Sequence, residues 1–483
     1  MRRIHSIHST VLSYFALEVA VDRIADSQNL ISFIQNSPSM FHTAATICKT
    51  LDQNGFIYLP EGSDWSGCIT AGKNYYTTRN GSSVIACKVG AHALDGLASK
   101  SASDKANPSD QSNQTAPFHF QIVASHADSP SFKLKAQPTL QGPHSYVRLS
   151  VEGYGGMINS TWLDRPLGLA GRVLVRTKSG IQSRLYNSNA DVALIPHVAI
   201  HLNREANKGF EYNHAVDLCP LFSAGELEEA DVMRMVARGL EVDAADIVAH
   251  DLYLVNRQRA CVWGAANEFV SSPKLDDLQC TFASLKAFTQ SNNEHTISVM
   301  SCFDNEEVGS CTKQGALSTL LHDSLLRLSL SMGADEQDYL RALSASFMVS
   351  FDNAHALHPN HPELYDATNQ CFLNKGPVIK ECANQSYTTD AFSRAVFVAV
   401  CEKAGVPTQL FSNRSDRRGG STLGNLSNIQ VSIHAVDVGL PQLAMHSSYE
   451  TAGSADTSYA IAALQEFYNT NVIIDGASTI ELR

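Results

Sequence analysis

The chain has no apolar run long enough to cross a bilayer, no Cys-x-x-Cys pair and no cluster of lysine and arginine. The first absence argues against a transmembrane helix, which needs about 20 consecutive apolar residues. The second removes the usual paired-thiol motif. The 11 cysteines are scattered, an odd and unpatterned set that fits reduced thiols in a cytosol-like compartment, most of them small core residues. The third absence, with a formal net charge of -12, argues against nucleic acid as the main partner. At the start, Met1-Arg2-Arg3 precedes a short apolar stretch from Val11 to Val21. Glu18 interrupts it and no clean small-residue cleavage site follows, so a helical extension is expected rather than a signal peptide.

What is present is a long globular chain. With 483 residues, 44% hydrophobic and 17% charged, it is expected to form two domains around a large core. Helical periodicity runs from about Leu30 to Asp52 through Ile31, Phe33, Ile34, Phe41, Ala44, Ile47 and Leu51, and Asn54-Gly55 ends it. Tyr75 to Thr78 and Ser83 to Val89 read as strands joined by an Asn80-Gly81 turn. Residues 98–117 are rich in Ser, Asn, Asp, Lys and Gln without apolar periodicity, which predicts a mobile surface insertion.

Between about 130 and 257 short alternating strands and glycines predict a compact β-rich module, with a helix from Ala224 to Gly239. Beyond Cys261, strand-like runs at 296–303, 347–351 and 408–412 alternate with helical runs at 277–290, 388–404 and 453–469. This pattern predicts a three-layer α/β domain with a mainly parallel central sheet, its active site at the carboxyl ends of the strands. The expected organisation is residues 1–128 and 258–483 in one domain, interrupted by a β-rich domain at 129–257.

Several strand-like segments end in residues that ligate metals. The apolar run Ile297–Phe303 breaks into Asp304-Asn305-Glu306-Glu307. Two acids side by side at a sheet's rim repel strongly, and a divalent ion relieves that, with one acid binding and the other free as a base for water. Other segments end at His126, with Asp128 two residues on, at Asp352, followed by His355 and His358, and at His446; Asp276-Asp277 precedes a helix. Any one of these alone is more often a cap or turn residue. Together they supply mixed imidazole and carboxylate donors, which suit zinc, cobalt or manganese better than calcium. Two adjacent ions need a bridging carboxylate, and Asp276 is the candidate.

A family resemblance rests on Tyr76-Thr77-Thr78-Arg79-Asn80-Gly81, Ser125-His126-Ala127-Asp128-Ser129-Pro130 and Trp162-Leu163-Asp164-Arg165-Pro166-Leu167-Gly168-Leu169-Ala170-Gly171-Arg172. It continues with Ser272-Pro273-Lys274-Leu275-Asp276, Asp304-Asn305-Glu306-Glu307-Val308-Gly309-Ser310, Asp352-Asn353-Ala354-His355-Ala356-Leu357-His358-Pro359-Asn360, Gly419-Gly420-Ser421-Thr422 and Gln442-Leu443-Ala444-Met445-His446-Ser447. Over roughly residues 30–470 the chain resembles the M18 metallopeptidases, the aspartyl aminopeptidases. It departs from their pattern at Ala127, Asp277, Asp416-Arg417-Arg418 and Ser448-Tyr449.

The resemblance implies a dinuclear site, most simply zinc, that removes the first residue of peptides beginning with Asp or Glu. His126 and Asp352 would hold one ion, Glu307 and His446 the other, and Asp276 would bridge them. Glu306 would be the general base and Asp128 would orient His126; His355 and His358 are expected to support the ligands. Lys380 would bind the substrate's acidic side chain, Tyr387 would lie near the scissile carbonyl, and His201 would reach a neighbouring subunit's active site. The resemblance also implies that the β-rich domain forms dimers, which assemble into a tetrahedral dodecamer. A broader aminopeptidase or dinuclear deacylase, and a non-enzymatic shell, are the competing readings.

Overall fold

A computed structural model of the protein describes residues 23–98, 116–476 and 478–483. The N-terminal stretch and most of the 98–117 insertion lie outside the described residues. At the centre of the larger domain is a nine-stranded mixed sheet. Its middle is four parallel strands, β1 (Phe120–His126), β2 (Ile297–Phe303), β3 (Phe347–Phe351) and β4 (His434–Gly439), in the spatial order β2-β1-β3-β4. These strands show no apolar–polar alternation because both faces are covered. Val123, Met300, Val349 and Val436 enter one core, while Ile122, Val299, Met348 and Ala435 enter the other. Beyond β2 the sheet continues through Ser83–Val89, Asn74–Arg79 and Ile57–Tyr58, and beyond β4 through Val378–Glu381 and Gln409–Ser412. Asn80 (φ 61) and Gly81 (φ 65) supply the left-handed backbone that the expected hairpin turn requires.

Helices cover both faces, giving the three layers. Residues of Met40–Gln53, α1 (Leu275–Gln290), Ala391–Lys403 and α2 (Asp456–Asn469) fill one core, and those of Leu320–Ser331, Glu336–Ser344 and Leu423–Gln430 fill the other. The long helix expected over Leu30–Asp52 is two helices, one ending at residue 35 and one starting at Met40. Pro38 explains the break: it has no N–H to donate, and it drives Ser37 out of the helical region. No helix among the described residues is long and apolar enough to cross a membrane.

Between Ser131 and Asn256 the chain forms a separate six-stranded antiparallel sheet with its own core, which includes Phe132, Leu149, Leu169, Val173 and Leu252. The helix expected over Ala224–Gly239 is confined to Asp231–Leu240, where Val232 and Val236 are buried against this core. The stretch before it turns instead, with Gly225 at φ 124, outside any helical conformation.

Periodicity does not reveal a third, five-stranded sheet. It joins Cys261–Trp263, Phe269–Ser272, Glu450–Gly453, Pro441–Leu443 and Ala354–His355, strands too short to show alternation. It positions the site, because it ties together the segments that carry Asp276, Asp352 and His446.

Candidate metal centre

Each candidate ligand leaves a rigid element at a defined point. His126 is the last residue of β1, and Asp352 follows β3 directly. Past β2, Asn305 turns the chain through a left-handed conformation (φ 62), which presents Glu306 and Glu307. Lys274 (φ 59) does the same before Asp276, which stays extended (φ -80, ψ 113) ahead of the regular part of α1. His446 itself sits at φ 67, in the turn after Pro441–Leu443. Left-handed non-glycine residues cost about 1–3 kcal/mol each, and three of them mark the approaches to one site.

The donors form two adjoining groups that share one acid. Nε2 of His126 lies 3.7 Å from Asp276 Oδ1 and 3.8 Å from Asp352 Oδ1. Nε2 of His446 lies 3.6 Å from Asp276 Oδ2 and 3.4 Å from Glu307 Oε2. Asp276 thus turns one oxygen to each histidine, the arrangement expected of a bridge. These gaps are too long for hydrogen bonds. They suit donors sharing an ion: two tetrahedral ligands at usual zinc distances stand about 3.3–3.6 Å apart. Oδ1 of Asp276 and Oε1 of Glu307 are buried without a hydrogen-bond partner, as if each had another ligand to meet.

Electrostatics point the same way. With the protein's own charges alone, burial and Asp276 push Glu307 well above the usual carboxylate range. Burial, reinforced by Asp352, Asp128 and Asp276, raises Glu306 to about 8, and burial with Asp352 raises Asp276 to about 6. Burial works against the charge of Asp352, but Lys380 and His126 hold it at about 2. Burial also disfavours a charged His126, yet Asp277, Asp128 and Asp352 hold its pKa well above the usual value. So many buried acids at one point need positive charge, and divalent cations supply it.

Around these groups, hydrogen bonds fix the ligands. Nδ1 of His126 is 3.1 Å from the main-chain carbonyl of Asp128 and 3.4 Å from its carboxylate, so the carbonyl makes the closer contact with the ring. The Asp128 carboxylate mainly holds the turn of Glu306 and Glu307, accepting from the N–H of Glu306 (3.1 Å) and of Glu307 (3.2 Å) and from the Tyr154 hydroxyl (2.7 Å). Nδ1 of His446 lies 2.9 Å from the Gly156 carbonyl, and Ile158 N–H donates to the His446 carbonyl at 2.9 Å. Tyr154, Gly156 and Ile158 belong to the β-rich domain, which therefore helps to build the site. In each ring a proton held on the bonded Nδ1 would leave the Nε2 lone pair for an ion.

The remaining expected residues are less uniform. Lys380 is buried beneath Asp352, with Nζ donating to the carbonyls of Asp352 (2.9 Å) and Asn353 (3.1 Å) and 3.8 Å from the Asp352 carboxylate. Tyr387 is buried beside it, with its ring centre 5.5 Å from Nζ. His201 lies apart, on an exposed loop of the β-rich domain with exposed Val198, Ile200 and Leu202. His358 does not support a ligand as expected; its Nδ1 accepts from Asn360 N–H within a turn. His355 packs its ring against Phe411.

Glu450 escaped sequence reasoning, and Asp277 entered it only as half of an acidic pair before a helix. Asp277 is wholly buried among His126, Asp276 and Asp352, and its Oδ2 accepts from His126 N–H at 3.0 Å. Glu450 accepts from the N–H groups of both Asp276 and His446. The bonds from His126 to Asp277 and from Asp276 to Glu450 join segments far apart in sequence, so no local pattern announces them.

The chain is similar to known proteins over most of its length. The family model for Aminopeptidase I zinc metalloprotease (M18) matches residues 33–99 and 109–468. A probable M18 family aminopeptidase 2 of Clostridium novyi is 42% identical over 453 residues, covering 93% of this chain and 99% of that protein. Among solved structures, a chain of the Ape4 and Nbr1 complex superposes with a TM-score of 0.85 at 33% identity, covering 93% of this chain and 86% of that one. The mApe1 dodecamer of S. cerevisiae gives 0.76 at 26% identity, covering 92% and 96%. A metal-binding cluster at the carboxyl end of a covered parallel sheet, within a match that spans most of the sequence, places this chain in the M18 family of zinc metallo-aminopeptidases.

Proposed function

We propose that the protein is a dinuclear-metal aminopeptidase that removes N-terminal Asp or Glu from peptides. The observation that carries this reading is Asp276, whose two oxygens face His126 and His446 separately. His126, Asp352 and Asp276 would hold one ion, and His446, Glu307 and Asp276 the other. Zinc is the first choice, with cobalt and manganese also compatible with the donors. When bound, the ions supply Lewis acidity toward a peptide carbonyl and make water easier to deprotonate. Glu306 takes the water proton and returns it to the leaving amine. Asp128 holds Glu306 at the position from which it does so. Tyr387 would lie near the scissile carbonyl.

Lys380 would read the acidic side chain of the first residue. Its placement also favours a second reading, a broader aminopeptidase in which Lys380 serves Asp352 alone, because two of its three N–H donors already meet main-chain carbonyls. Paired chromogenic substrates beginning with Asp and with Leu separate the two. The proposal expects Lys380→Ala to abolish the preference for Asp. An unchanged preference with a reduced metal content establishes the second reading.

Residues 129–257 would form the dimer interface, with the exposed apolar loop around His201 reaching a partner's site. Dimers would close into a tetrahedral dodecamer; mApe1, one of the structural neighbours, is a dodecamer. The 11 cysteines, free as placed here, favour a reducing, cytoplasmic setting.

A further inference from the structure

The Asp128 carboxylate gathers the main chain of Glu306 and Glu307, and its residue's carbonyl meets His126. No hydrogen bond links it to Asp276 or His446. These two are held by a different buried acid. Glu450 opens the strand Glu450–Gly453 and is 1% exposed. Its Oε1 accepts from His446 N–H at 2.8 Å, and its Oε2 accepts from Asp276 N–H at 3.0 Å. One carboxylate therefore joins two residues 170 positions apart in sequence that face each other across 3.6 Å.

Three features set this contact apart from an ordinary satisfied acid. Both residues it grips are donors of the same proposed metal position, the one completed by Glu307. Both have awkward backbones: His446 is left-handed, and Asp276 breaks the start of α1. And burying an ionisable acid beside Asp276 is costly, where a main-chain carbonyl would accept either N–H without adding another acid to the site.

We infer that Glu450 is a positioning residue for the His446-side metal position. Its two-point grip sets the distance between His446 and Asp276, and with it the affinity and geometry of the second ion. The inference rests on the dinuclear reading given above.

The test uses the full chain, stripped by chelation and titrated with Co(II), with metal content and the visible cobalt spectrum as readouts. Wild type is expected to bind two ions per chain. Glu450→Gln keeps the shape but can accept at only one oxygen. It is expected to bind the first ion as wild type does and the second about 10–100-fold more weakly, with an altered spectrum at the second step. Glu450→Ala is expected to extend that loss. Ala452→Gly loosens the same strand without touching the carboxylate, and should leave the second affinity unchanged. A wild-type second affinity and spectrum in Glu450→Gln overturns the inference, as does an equal loss in Ala452→Gly. A wild type that binds a single ion overturns the dinuclear reading, and this inference with it.

Discussion

The two proposed metal positions share Asp276 but are built differently. On one side, His126 ends a central strand and Asp352 follows another; both are anchored by strands packed between two cores, and the His126 side chain is 1% exposed. On the other side, His446 and Glu307 sit in turns, and the His446 side chain is 33% exposed. The first position is held by the sheet. The second is held by hydrogen bonds to the carboxylates of Asp128 and Glu450 and by a loop of the β-rich domain. A site shared between rigid strands and a domain boundary should bind one ion firmly and the other more loosely.

Glu306 clusters with His126 and Glu307, one donor from each proposed position, and its loss should have the largest effect. Glu306→Gln is expected to lower kcat about 10²–10⁴-fold while both ions stay bound, checked by steady-state kinetics with metal analysis. Retained turnover would remove the base assignment. The positions themselves part company when their histidines are removed. His446→Ala should keep one ion and lose turnover about 10²–10³-fold, since a Lewis-acid contribution is worth several kcal/mol. His126→Ala should lose the firm ion and show the lower melting temperature of the two. Equal behaviour of the two variants would erase the distinction drawn here.

A smaller effect follows from the acids when the ions are removed. Asp276 (about 6) and Glu306 (about 8) hold protons in the fold that the unfolded chain has released by about pH 4–5. The folded state then binds more protons than the unfolded one, so stability falls as pH rises through these values. The chelated protein should melt a few degrees lower at pH 8.5 than at pH 5.5. Adding zinc should flatten the difference, because ionised carboxylates then have cations to face. A melting temperature that rises with pH in the chelated protein would contradict the charge balance described.

The same division explains what was legible in the sequence. β1 and β3 stand out as strand-like runs because both of their faces are buried, and His126 and Asp352, which end or follow them, are the proposed ligands of the firmer position. The acidic pair Glu306-Glu307 is visible for the same reason. By contrast, Glu450 reaches Asp276 in a distant segment, and Tyr154 and Gly156 reach the side chains of Asp128 and His446 on other elements, which leaves no periodic trace. The five-stranded side sheet is hidden because its strands run only two to four residues. Pro38 was in plain view, but apolar spacing on both sides of it resembled one helix. The acidic cluster is crowded further by Asp277, whose burial no spacing rule predicts.

The central claim is a two-ion site that hydrolyses the first peptide bond, and reconstitution tests it most directly. The chelated protein would be titrated with zinc, cobalt or manganese while hydrolysis of N-terminal Asp and Leu substrates is followed. The account predicts no activity without metal, full activity near two ions per chain, and faster cleavage of the Asp substrate. Full activity at one ion would contradict the bridge at Asp276, and no hydrolysis of either substrate with any ion would contradict the enzyme itself.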